Sequence, residues 1–115
     1  MALTLLHKAV AGKADIIVLP EYSNYMGHLE SAWEHAANEG SEWHETLSSF
    51  AGKQGTYLVA GLIERVANGK CASVLRVYDR KGSTAGIYRK IHLFDVALGD
   101  KVEIRESAWL DAGTS

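Results

Sequence analysis

Two uninterrupted apolar runs constrain the fold of this chain more than any other feature. Residues 16–19 read Ile-Ile-Val-Leu, and residues 56–65 read TYLVAGLIER. Runs this apolar are typical of strands that are covered on both faces, so we expect residues 16–19 to be buried on both sides. The segments before and between the two runs carry apolar residues at helical spacing. Helices that alternate with strands in this way predict an α/β fold.

Three helices are predicted. The first covers residues 2–10 and stops at Gly12, the second covers residues 28–39, and the third begins after an N-cap at Ser41 and ends at Gly55. The apolar side of the second helix comprises Leu29, Ala32, Trp33 and Ala36. The buried stripe of the third helix comprises Trp43, Leu47, Phe50 and Ala51.

A strand meander follows the third helix. Asn68-Gly69 is a strong signal for a two-residue hairpin turn, with residues 71–79 as the return strand. A second turn leads into a strand over residues 84–90. We therefore expect a sheet with helices on one face. Residues 93–107 have mixed polarity and little periodicity, which predicts a long irregular surface connection of the kind that is often functional.

Composition excludes several classes of function. The chain has 115 residues, a net charge of −2 with acids and bases intermixed, and a single cysteine, Cys71. Such a charge balance indicates neither a nucleic-acid partner nor a membrane-binding patch. No apolar run approaches a membrane span and no signal peptide is recognisable, so we expect a soluble, cytoplasmic protein. The chain starts on a helix and ends on a loop, which we interpret as part of a larger domain.

Two charged residues at strand ends are candidates for chemistry. Glu21 directly follows the first strand and Pro20, at the edge where ligands collect in α/β sheets, and partial desolvation there suits a general base. Lys90 ends the last apolar strand and could meet a developing oxyanion. The alternatives are a solvated loop residue or a helix cap for Glu21, and a lysine that protects a sheet edge for Lys90.

Other residues are better explained without a functional site. His28, His35 and His44 lack the converging ligands of a zinc site, so we expect solvated histidines on helix faces. Cys71 lies inside a return strand, without the sharp turn that presents a nucleophile, and is interpreted as a small buried residue. A third interpretation is a flavodoxin-like nucleotide binder. The sequence contains no phosphate-binding loop to support it. The aromatic residues expected in the core are Trp33, Trp43, Phe50 and Tyr57.

Two motifs resemble those of a known enzyme family. The sequences LPEYSNY at residues 19–25 and YRKIHLFD at residues 88–95 are similar to those of the carbon–nitrogen hydrolase (nitrilase) superfamily, closest to its Nit-type amidases. The resemblance covers nearly the whole chain. It implies an α/β fold of the αββα-sandwich type, here as a partial domain over residues 1–115 that lacks the first strand and the C-terminal half.

The resemblance also implies roles for particular residues. Glu21 matches the family's general base, Lys90 matches the lysine that stabilises the tetrahedral intermediate, and Glu106 matches a second glutamate that orients or charge-balances that lysine. The residues assigned to the substrate pocket are Tyr22, Asn24 and His92, of which His92 is expected to pack or to orient the loop. No metal or organic cofactor is implied.

The family nucleophile is a cysteine in a later motif that does not occur within these 115 residues. The resemblance therefore implies a hydrolase that cleaves a small amide to a carboxylic acid and ammonia, with its nucleophile outside this chain. Its partners would be a small-molecule amide and further copies of itself in a homo-oligomer. We expect the 115 residues alone to be inactive and poorly stable. The alternative is a truncated or degenerate non-catalytic chain that acts as a binding or oligomerisation module.

Overall fold

The computed structural model describes residues 2–99 and 102–114. The helices are α1 (Ala2–Ala11), α2 (Ala32–His35) and α3 (Glu42–Gln54), and the strands are β1 (Ile16–Leu19), β2 (Tyr57–Arg65), β3 (Cys71–Tyr78), β4 (Thr84–Arg89), β5 (Asp95–Leu98) and β6 (Val102–Arg105). Short 3₁₀ turns cover Leu29–Ser31, Ala67–Gly69 and Glu106–Ala108. None of the helices in the described residues is long and apolar enough to cross a membrane.

The main sheet has four strands in the order β1-β2-β3-β4. Strand β1 pairs with β2 in parallel, and the two following pairs are antiparallel. The hairpin predicted at Asn68-Gly69 is confirmed, with positive φ angles at both residues. Its connection is a 3₁₀ turn over Ala67–Gly69, which is longer than the two-residue turn predicted. The predicted α/β class, with helices on a mixed sheet, is therefore confirmed.

A bulge between β3 and β4 sets which side chains share a face. Near the turn Tyr78 pairs with Thr84, but the next pair is Val77 with Gly86, so Ala85 has no partner of its own. Antiparallel partners point to the same side of a sheet, and one extra residue inverts that assignment for the rest of the strand. Beyond the bulge Ser73 therefore lies opposite Lys90, whose amide N–H donates to the Ser73 carbonyl at 2.8 Å.

The largest core lies between the helices and one face of the sheet. Helices α1 and α3 supply Leu6, Leu47 and Phe50, which pack on alternate residues of the first three strands. The sheet residues in this cluster are Ile17, Leu19, Leu58, Ala60, Leu62 and Tyr78. The spacing predicted for α3 is confirmed for Leu47, Phe50 and Ala51, whereas Trp43 is only partly buried.

The opposite face of β1 is open, which corrects the prediction for residues 16–19. Ile16 is 58% exposed and Val18 is 66% exposed, while their neighbours in β1 are buried. The physical reason is that, within the described residues, α1 and α3 cover one face of β1 only. Tyr57 and Trp33, both expected in the core, are also more than a third exposed.

The segment predicted as one helix over residues 28–39 is a 3₁₀ turn followed by a single turn of α-helix. It ends because Ala36 is extended and Ala37 pairs with the end of β2. The Ala37 N–H donates to the Ile63 carbonyl at 3.0 Å, and the Arg65 N–H donates to the Ala37 carbonyl at 2.8 Å. Pairing with a distant strand therefore overrides the local helical propensity.

The region after His92 is also more regular than predicted. Strands β5 and β6 form an antiparallel hairpin in which Asp95 pairs with Arg105. Positions 100 and 101 of the predicted irregular segment, like Ser115, lie outside the described residues. The hairpin returns the chain to Glu106, whose N–H donates to the Phe94 carbonyl at 3.2 Å.

A buried polar cluster on the helix side of the sheet corrects the prediction for His44. This side chain is buried rather than solvated, and its Nδ1 lies 2.9 Å from the Tyr78 hydroxyl. Its Nε2 lies 3.4 Å from Glu64, which Arg76 binds through two hydrogen bonds of 2.9 and 3.0 Å. Burial lowers the pKa of His44 and the Arg76 charge adds to that effect, whereas Glu64 and Glu39 oppose it.

This cluster predicts a specific dependence of stability on pH. Because the pKa of folded His44 is lowered, the unfolded chain binds a proton near pH 6.5 that the folded chain does not, so stability falls as pH drops below about 6.5. We expect urea unfolding at pH 7.5 and 5.5 to show a smaller pH dependence in His44→Gln than in the parent. The exposed His28 is the matched control, and an equal change in His28→Gln would contradict this assignment.

Candidate functional site

The segment that carries Glu21 packs directly on the backbone of β2. A side chain at Gly61 would place its Cβ 2.5 Å from the Pro20 carbonyl oxygen and 2.7 Å from the Glu21 Cα. The Ser23 N–H donates to the Gly61 carbonyl at 2.8 Å. Only glycine allows this approach, so Gly61 sets how close Glu21 lies to the sheet.

Two further residues of this segment hold its conformation. The Asn24 side chain pairs with the Ile63 backbone, donating from Nδ2 to the carbonyl at 2.9 Å and accepting the N–H at Oδ1 at 2.8 Å. Tyr22 has a positive φ of 55°, which turns the chain between Glu21 and Ser23. Asn24, predicted as a pocket residue, therefore anchors the segment to β2.

Glu21, Lys90 and Glu106 converge. The Lys90 Nζ lies 3.2 Å from Glu21 Oε1, and 3.0 and 3.3 Å from the two carboxylate oxygens of Glu106. Glu21 and Lys90 are 69 positions apart in the chain, and the sheet brings them to one edge. The structure thus places a single ammonium group between two carboxylates.

Glu106 is the buried member of this group, at 7% exposure. Its Oε1 accepts a hydrogen bond from the Tyr22 hydroxyl at 3.0 Å, and its Oε2 accepts the Phe94 N–H at 2.8 Å. Together with Lys90 these donors compensate the cost of burying the carboxylate. Tyr22, predicted as a pocket residue, thus connects the Glu21 segment to Glu106.

The electrostatics keep Lys90 charged and Tyr22 neutral. Burial alone would lower the pKa of Lys90, but hydrogen bonds and charge from Glu106 and Glu21 outweigh it and raise the pKa. Burial is the main cause of the raised pKa of Tyr22, and the hydrogen bond to Glu106 adds to it. The site therefore offers a permanent cation, and the phenol acts as a hydrogen-bond donor.

An open cleft of about 170 Å³ lies over this group. Its lining consists of Glu21, Gly61, Ser73, Val74, Leu75, Tyr88 and Lys90. His92 is exposed and is not among these lining residues, so the structure does not bring it to the cleft. Ser73 was missed in the sequence because nothing local distinguishes it from other strand residues, and its place opposite Lys90 depends on the bulge between β3 and β4.

Cys71 lies apart from the cleft lining, in a second apolar cluster with Ala32, Ala36, Ile63 and Leu110. Its thiol is buried, and burial raises its pKa. A neutral, enclosed thiol is a poor nucleophile. Within residues 2–99 and 102–114, no three His, Cys, Asp or Glu side chains form a group that could hold a metal ion.

The close packing at Gly61 predicts that a larger residue at this position destabilises the fold. We expect Gly61→Ala to lower the free energy of unfolding by about 1–3 kcal/mol, because the new methyl group displaces backbone atoms of Pro20 and Glu21. Gly86 is the matched control, since it is a strand glycine with open space around its Cα, and Gly86→Ala should change stability by less than about 0.5 kcal/mol. Equal losses in urea unfolding would contradict this role for Gly61.

Comparison with known proteins gives one consistent result. The family model described as carbon-nitrogen hydrolase matches residues 1–115. The ω-amidase NIT2 of Danio rerio is 35% identical over 114 residues, which make up 99% of this chain and 41% of that protein. The Homo sapiens ω-amidase NIT2 is 32% identical over 114 residues, with the same two coverages. The chain thus spans less than half the length of these relatives.

Solved structures agree with the sequence comparison. The C. elegans NitFhit protein has a TM-score of 0.83 and 26% identity, over 95% of this chain and 27% of that one. A carbon-nitrogen hydrolase from Helicobacter pylori G27 has a TM-score of 0.74 and 27% identity, over 96% of this chain and 38% of that one. The predicted nitrilase-like fold is confirmed by these neighbours. On the match of the whole chain to the family, this protein belongs to the carbon-nitrogen hydrolases.

Proposed function

We propose that the protein containing this chain hydrolyses the carbon–nitrogen bond of a small amide to a carboxylic acid and ammonia. The observation that carries the proposal is the position of Lys90 between Glu21 and Glu106 at the edge of an open cleft. Family membership and similarity to ω-amidases support the choice of an amide as substrate. Glu21, Lys90 and Glu106 are the proposed functional residues.

In the proposed reaction Glu21 acts first as a general base. It accepts the proton of a cysteine thiol that lies outside these 115 residues, and the resulting thiolate attacks the amide carbonyl carbon. The carbonyl oxygen becomes an oxyanion, to which the Lys90 ammonium group donates a hydrogen bond. Glu21 then passes its proton to the amide nitrogen, and ammonia leaves as the tetrahedral intermediate collapses to a thioester.

Water completes the cycle. Glu21 accepts a proton from a water molecule, whose oxygen attacks the thioester carbonyl, and Lys90 again stabilises the oxyanion. The thiol leaves with the proton from Glu21, and the product is a carboxylic acid. Glu21 lies 48% exposed at the cleft, which gives substrate and water access to its carboxylate.

Glu106 is proposed to act through Lys90. A lysine beside one carboxylate would be drawn into a simple ion pair, whereas a second, buried carboxylate on its other side holds the amine near the cleft. Glu106 also keeps the amine in its charged form, in agreement with the raised pKa of Lys90. Tyr22 fixes Glu106 in turn by donating its hydroxyl.

One observation favours the alternative of a non-catalytic module. The only cysteine of the chain is Cys71, and its buried thiol with a raised pKa is unsuited to attack a substrate. The half-exposed apolar side chains on the open sheet face, among them Ile16 and Val18, would suit pairing with a partner or a second copy. We propose accordingly that these 115 residues alone release no ammonia.

Ammonia release by the full-length gene product tests the proposed activity. With short ω-amides of dicarboxylic acids as substrates, we expect Glu21→Gln and Lys90→Ala each to lower kcat/KM by at least about 1,000-fold, because each removes a group that acts in the transition state. The exposed residues Glu30 and Lys53 provide matched controls, and Glu30→Gln and Lys53→Ala should leave the rate within about 2-fold of the parent.

The same assay separates Cys71 from the nucleophile. We expect Cys71→Ala to keep the parental rate within a few-fold, because the thiol lies in the apolar cluster and not in the cleft lining. Loss of all activity in Cys71→Ala, in a protein that remains folded by circular dichroism, would contradict this expectation. Near-parental rates in Glu21→Gln or Lys90→Ala would reject the proposed reaction, and a parent inactive on every amide would favour the non-catalytic module.

A further inference from the structure

We propose that Ser73 is a positioning residue for the general base Glu21, an inference that rests on the proposed function. The Ser73 hydroxyl donates to Glu21 Oε1 at 2.7 Å, a shorter contact than any that Lys90 makes in the site. Ser73 also lines the cleft. Its hydroxyl is therefore placed to fix the carboxylate without adding charge to the site.

Ser73 and Lys90 bind the same oxygen of Glu21. Both hydrogen bonds end on Oε1, and no donor among residues 2–99 and 102–114 is bound to Oε2. The two hydrogen bonds to Oε1 fix the orientation of the Glu21 carboxylate. Oε2 is the oxygen that accepts the proton in the proposed reaction. Ser73 thus determines which oxygen of the carboxylate is available as the base.

The backbone around Ser73 makes it a rigid support. Its side chain is 5% exposed, and its carbonyl accepts the Lys90 N–H at 2.8 Å. One residue therefore contacts the base through its hydroxyl and the oxyanion-stabilising residue through its peptide group. Glu21, by contrast, lies in a turn and is half exposed, so its carboxylate needs an external anchor to keep one orientation.

Removal of the hydroxyl has a consequence that a purely structural role would not produce. A misplaced base slows the chemical steps but leaves substrate binding intact, so kcat falls while KM is unchanged. Because the effect depends on the hydroxyl donor, a variant that keeps the hydroxyl should keep the rate.

The experiment compares three variants of the full-length gene product in ammonia release. We expect Ser73→Ala to lower kcat about 10- to 100-fold with KM within about 2-fold, and Ser73→Thr, which keeps the hydroxyl, to recover most of the loss. Ser83→Ala, at an exposed serine in the turn of the same hairpin, is the control and should match the parent. A parental kcat in Ser73→Ala would overturn the inference.

A second measurement keeps the inference separate from the proposed function. The ¹³C resonance of the Glu21 carboxyl, assigned by its absence in Glu21→Gln, can be recorded at one fixed pH in the parent and in Ser73→Ala whether or not the protein turns over an amide. We expect its chemical shift to change in Ser73→Ala, because the hydroxyl no longer donates to Oε1, and to stay at the parental value in Ser83→Ala. An unchanged chemical shift in Ser73→Ala overturns the role of Ser73. If Ser73→Ala shows the change but the parent releases no ammonia, the proposed function alone is overturned.

Discussion

A lysine ammonium group held between two carboxylates is the interaction on which the geometry of this site depends. Glu21 and Glu106 would repel each other if brought together without compensation, and Lys90 supplies the intervening positive charge. Each of the three residues comes from a different part of the chain. The charges are therefore balanced only when three elements have folded: the turn after β1, the end of β4 and the 3₁₀ turn after β6.

The sheet divides this protein into two functional sides. On the helix side, β2 and β3 direct Glu64, Arg76 and Tyr78 toward His44, in a cluster that serves the packing of α3. On the other side, alternate residues of the same strands line the cleft and contact Glu21. Strand alternation thus lets two strands support a structural polar network and a candidate active site without contact between them.

Local patterns predicted the strands and the motif residues well. Strands β2, β3 and β4 lie within one residue of their expected bounds, because turn residues and apolar runs define them locally. The candidate residues Glu21 and Lys90 lie in two short motifs, and Glu106 is assigned from its place on the loop after the lysine. Their convergence agrees with the expectation drawn from strand ends. Since β1 and β4 are the outer strands of the sheet, it also requires the segment after β1 to cross β2 at Gly61 and so bring Glu21 to Ser73 and Lys90.

Features set by distant contacts were not predictable in the same way. The helix expected over residues 28–39 is cut short because Ala37 pairs with β2. His44 is buried because its ring contacts Tyr78 and Glu64, which lie on other elements. Ser73 carries no motif at all. These features require knowledge of which strands are neighbours and in which register they pair.

The unpaired Ala85 has a consequence for how this kind of site could change in evolution. If the pairing of Tyr78 with Thr84 continued without a bulge, Ser73 would lie opposite Arg89, and Lys90 would point to the helix side. A guanidinium would then replace the ammonium group beside Glu21. Deletion of Ala85 itself would leave Val77 opposite Gly86 and Ser73 opposite Lys90, so a shorter hairpin keeps the lysine in the cleft. The site therefore tolerates loss of the extra residue but not a slip of the strand register.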